Sequence, residues 1–82
     1  MKTLIVDDEL DACLNLKGIL SEHCPEIEVM GMAHSVQEAL AFLSNHQPDL
    51  VFLDVQMPAG SGFGLLEHFE QAPFQVIFVT AF

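Results

Sequence analysis

Eighty-two residues, half of them hydrophobic, suffice for one small domain with a real core and argue against disorder. Twelve acids against two Lys and no Arg give a formal charge of −10, which excludes nucleic-acid binding by this segment, because phosphate contacts need clustered cations. No apolar run approaches the ~20 residues of a membrane span, and the run after Lys2 is too short for a signal-peptide core. A cytoplasmic location with no membrane contact is therefore expected.

Thr3 to Val6 is a short β-branched and aliphatic run that predicts a buried strand. From about Glu9 to His23, apolar residues at Leu10, Cys13, Leu14, Leu16 and Leu20 make an imperfect helical stripe, closed by Pro25. Ile27 to Ala33 predict a second strand, apolar at Ile27 and Val29 and then at Met30 and Met32. Ser35-Val-Gln-Glu38 is a capping-box pattern. Val36, Ala39, Leu40 and Leu43 follow on one helix face at i, i+3, i+4, i+7. After Pro48 and Asp49, the continuous run Leu50-Val-Phe-Leu53 suits a strand covered on both sides. A Gly/Pro-rich loop from Gln56 to Gly62 precedes a short third helix with Leu65, Leu66 and Phe69 inward, weakened at Gly64 by ~1 kcal/mol relative to Ala. Residues 75–80 predict a fourth strand.

The order β-α-β-α-β-α-β with near-continuous apolar strands predicts an α/β fold with a doubly wound parallel sheet. In such sheets ligands bind beyond the carboxyl ends of the strands. Asp7 and Asp8 follow the first strand, Asp54 follows the third, and Thr80 ends the fourth. Three carboxylates converging on one rim repel unless a cation lies between them, and hard oxygen donors select Mg²⁺ or a similar ion. An Asp after a strand also commonly caps the next helix. That alternative accounts for Asp7 or Asp8 but not for both, and it leaves Asp54 unexplained. Cys13 and Cys24 lack CxxC spacing and read as reduced, partly buried thiols; the scattered histidines form no ligand pair.

The strand ending in Asp7-Asp8-Glu9, the segment Leu-Val-Phe-Leu-Asp54-Val-Gln-Met-Pro58 with Gly62 after it, and Val-Ile-Phe-Val-Thr80-Ala81 together resemble a bacterial response-regulator receiver domain of a two-component system. The Met-Pro-x-Gly-Ser-Gly-Phe loop and the Val-Thr-Ala-Phe ending look most like regulators with a LytTR DNA-binding domain. The resemblance implies a flavodoxin-like fold and a phosphoacceptor role for Asp54. It implies that Asp7, Asp8, Asp54 and the backbone carbonyl of Gln56 hold Mg²⁺, and that Thr80 is the switch hydroxyl. It implies a sensor histidine kinase and a C-terminal output domain as partners, with signalling phosphoacceptance, assisted by the domain itself, in place of metabolic catalysis. Residues 1–82 correspond to the N-terminal two-thirds of such a domain, lacking its last helix, strand and helix. The family's Lys, at the end of a fifth strand, would then lie beyond Phe82, and neither Lys2 nor Lys17 is placed to replace it. A fourth strand left at the edge invites a homodimer or a domain-swapped assembly.

Rival chemistries fail on single residues. A haloacid-dehalogenase-type phosphatase needs a second Asp where Gln56 stands. A P-loop NTPase needs GxxxxGK[ST], which is missing. A flavodoxin needs a Ser/Thr-rich phosphate cradle where Asp7-Asp8-Glu9 stand. The non-enzymatic alternative is a receiver-like module that acts through protein contacts without phosphorylation.

Overall fold

β-Branched and aliphatic residues without Pro or Gly pull Lys2–Val6 (β1) and Leu50–Asp54 (β3) into extended backbone at the centre of a four-stranded parallel sheet. The computed structural model describes residues 1–54 and 74–79. Glu28–Ala33 (β2) and Gln75–Val79 (β4) flank the central pair, giving the order β2-β1-β3-β4. That is the flavodoxin-like order, reversing direction beside β1. The predicted third helix, with Leu65, Leu66, Phe69 and Gly64, lies outside the described residues.

Every residue of β3 is buried, as its unbroken apolar run requires. The two sheet faces carry separate cores. Leu4, Val6, Val51 and Leu53 pack under the second helix, α2 (Val36–Asn45), with Ala39 buried against them. Ile5, Leu50 and Phe52 pack under the first helix, α1 (Leu10–His23), through Cys13 and Leu20. At 100° per residue, Cys13, Leu16 and Leu20 fall within about 30° of one line, whereas Leu10 and Ile19 lie roughly 90° off it and Leu14 further still. The stripe read from the sequence is thus narrower in the fold. Leu10 and Leu14 are about half exposed, and only Cys13 and Leu20 are buried.

The parity of β2 has a similar explanation. Thr3 pairs with Val29 and Leu4 with Gly31, so Met30 is the extra residue of a bulge. The bulge lets Val29 and Met32, three apart, share the α1 face. Gly31 faces α2, where an added Cβ would stand 2.7 Å from the ring of Phe42. The missing side chain is what lets the Phe42 ring lie this close to the sheet.

Helix α2 begins as its capping pattern predicts: Ser35 Oγ accepts from the Glu38 backbone N–H at 3.0 Å. β4 forms the other edge, with Ile77 and Phe78 more than two-fifths exposed. Among the described residues no helix is long and apolar enough to cross a membrane.

Candidate metal and phosphoacceptor site

β1 and β3 run parallel in the register Thr3↔Leu50 through Val6↔Leu53. The next residues on the two strands, Asp7 and Asp54, therefore emerge at the same level of the carboxyl rim. Asp7, Asp8 and Asp54 each present a carboxylate oxygen, and the three oxygens lie within 4.8 Å of one another. Asp54 is buried, Asp7 half-buried and Asp8 exposed, so the group grades from the sheet interior to water. Cys13 is fully buried, more so than the sequence suggested.

Backbone contacts fix this corner. The Asp7 N–H donates to the Ala33 carbonyl at 2.9 Å, tying the end of β1 to the end of β2. The Asp7 carboxylate accepts from the Glu9 N–H at 2.9 Å. Behind it, the Cys13 thiol lies 3.6 Å from the Asp7 carbonyl oxygen, a weak hydrogen bond. The capping alternative is therefore realised only in part. Asp7 turns the loop before α1, but the N-cap residue is Glu9, which makes no side-chain cap bond. This task does not remove Asp7 from the carboxylate group.

Electrostatics mark the corner as strained. Burial first, and the Asp54 and Asp8 charges after it, raise the Asp7 carboxyl above its ordinary range against the opposing bond from Glu9. Burial, then the Asp7 charge, pushes the Cys13 thiol up to about 11, making it an inert packing group. Like charges ~4 Å apart repel by about 1 kcal/mol in bulk water and about 4 kcal/mol near a protein surface. Carboxylates gathered without Lys or Arg suit a hard divalent cation that completes its octahedron with water, and Mg²⁺ fits this donor set. Among the described residues no histidine or cysteine joins a cluster of this kind. Thr80 and Gln56 lie outside the described residues.

The comparisons agree in direction. A family model for the response regulator receiver domain matches residues 3–82. The sensory transduction protein LytT of Bacillus anthracis is 39% identical over 85 residues, covering 100% of this chain and 34% of that protein. The transcriptional regulatory protein BtsR of Escherichia coli (strain K12) is 40% identical over 85 residues, with the same coverages. The chain thus spans about a third of the length of these curated relatives. Among solved structures, the response regulator domain of Thermotoga maritima CheB is 31% identical with a TM-score of 0.85, covering 98% of this chain and 60% of that one.

Proposed function

Because the chain belongs to the response regulator receiver domains, we propose that Asp54 accepts a phosphoryl group from a sensor histidine kinase and thereby switches an output domain that follows this segment. The reading rests above all on the meeting of Asp7, Asp8 and Asp54 at one rim of the sheet.

An Asp54 carboxylate oxygen attacks phosphorus. The new O–P bond forms as the P–N bond to the kinase imidazole breaks, and the departing ring nitrogen keeps the electron pair and takes up a proton. Asp8, with Asp7 and the Gln56 carbonyl, would hold Mg²⁺, which when bound offsets charge on the transferring phosphoryl oxygens. Asp54 is buried at the end of a strand paired on both sides, which holds the nucleophile in one place. In this reading Thr80 hydrogen-bonds a phosphoryl oxygen and so reports the modified state to the rest of the domain. The domain assists its own phosphorylation and dephosphorylation, and acts in the cytoplasm as a signalling module.

The likeness to LytT and BtsR supports a transcriptional output carried by a C-terminal DNA-binding domain of LytTR type. Residues 1–82 are read as the N-terminal two-thirds of the receiver domain, in keeping with the 60% share of the Thermotoga domain they cover.

Incubating the full-length protein with Mg²⁺ and acetyl phosphate tests the proposal. Label on the wild type and none on Asp54→Ala supports it. An unlabelled wild type favours a module that works through protein contacts alone.

A further inference from the structure

At the opposite rim of the sheet, five residues upstream of the site on each strand, Asp49 makes a set of bonds that the phosphoacceptor chemistry does not call for. Its carboxylate accepts from the Lys2 backbone N–H at 2.9 Å. Its own N–H donates to the Lys2 carbonyl at 2.7 Å, and its carbonyl accepts from the Gln75 N–H at 3.0 Å. One residue thus grips β1 through both polar groups of Lys2 and holds the start of β4. Pro48, fully buried beside it, fixes the approach of the chain.

The residue count gives this grip a consequence. From Lys2 to Asp7 is five residues, and from Asp49 to Asp54 is five. With Lys2 held against Asp49 and no bulge between β1 and β3, equal counts deliver Asp7 and Asp54 side by side. A slip of one residue turns Asp54 to the other face of the sheet and is opposed by the whole core. A slip of two residues, or a smaller slide of β3 along β1, preserves the faces and is opposed mainly by bonds specific to one register. Asp49 supplies such bonds.

We infer that Asp49 is a positioning residue for the acidic site: it sets the longitudinal register of β3 against β1 and so the separation of Asp54 from Asp7 and Asp8. The inference rests on those three residues binding a divalent cation. The distance from Asp49 to the site, five residues at about 3.3 Å each, is roughly 17 Å along the strand. That exceeds the ~8 Å screening length at physiological salt, so the charge of Asp49 does not act directly on the ion. Its action would be mechanical.

Mg²⁺ titration of the full chain, followed by amide NMR because the protein has neither Trp nor Tyr, tests this with three variants. Asp49→Ala removes the acceptor and should weaken Mg²⁺ binding by about three- to tenfold. Asp49→Asn keeps an acceptor oxygen while removing the charge, and should restore binding to near the wild-type value. Ala41→Gly weakens α2 at an exposed position in mid-helix and should leave Mg²⁺ affinity unchanged in the folded protein. A wild type that binds Mg²⁺, with Asp49→Ala indistinguishable from it or matched by Ala41→Gly, overturns the positioning role alone. A wild type that binds no Mg²⁺ overturns the site as well, and the inference with it.

Discussion

The two rims of the sheet use the same side chain in opposite ways. At the amino rim, Asp49 is exposed and its carboxylate receives a backbone N–H, so its charge is solvated and its bonds hold the strands together. At the carboxyl rim, Asp7, Asp8 and Asp54 face one another, with burial and mutual repulsion raising the Asp7 carboxyl. Residue type does not distinguish a structural acid from a functional one; the neighbours do. The uphill arrangement is the one that a cation or a proton can relieve.

The core between the rims sets the scale of what supports both. Leu53→Ala, at a fully buried position on β3, should cost about 2–5 kcal/mol in denaturant unfolding. A much smaller loss would mean that the strand carrying Asp54 is not held as described. At the carboxyl rim, Asp8→Ala should weaken Mg²⁺ binding by more than about 100-fold, since even outer groups at metal sites are worth 10–100-fold. Calorimetry that finds equal affinity in this variant would remove Asp8 from the site.

A subtler contrast concerns the apo protein. Asp54→Asn relieves the repulsion on Asp7 and should raise the metal-free melting temperature by a few degrees, at roughly 4–8 °C per kcal/mol for a domain of this size. Saturating Mg²⁺ should shrink or reverse that advantage. The pH dependence follows from the raised Asp7 carboxyl. Between its ordinary and raised values the folded state holds more protons than the unfolded state, so this group's contribution to stability falls as pH rises through that window. Melting curves without metal should show this decline in the wild type and its loss in Asp7→Asn. The smallest effect is expected outside both rims' charge chemistry: Ser35→Ala removes the α2 cap at a cost of about 1 kcal/mol without changing Mg²⁺ affinity.

How legible these features were depends on whether the signal is local. The α2 cap and stripe, the buried β3 run and the acids that end the strands follow from periodicity and turn chemistry within a few residues, and they appear where the sequence put them. The bulge at Met30 was visible only as a change of apolar parity, because a bulge depends on the partner strand. Leu10 and Leu14 matched a helical stripe, yet which flank of α1 meets the sheet is decided by packing. Asp49 passed as the residue leading into β3, since its grip on Lys2 spans 47 positions and leaves no local trace. The roles of Gln56 and Thr80 rest on the family resemblance, as both lie outside the described residues.

Side-chain carboxyl carbon NMR during an Mg²⁺ titration examines the central contrast most directly, because it watches each aspartate separately. The resonances of Asp7, Asp8 and Asp54 should move together along one saturable curve while that of Asp49 stays in place. Three unmoved resonances at the carboxyl rim, or an Asp49 that shifts as they do, would contradict the assignment of a cation site to that rim.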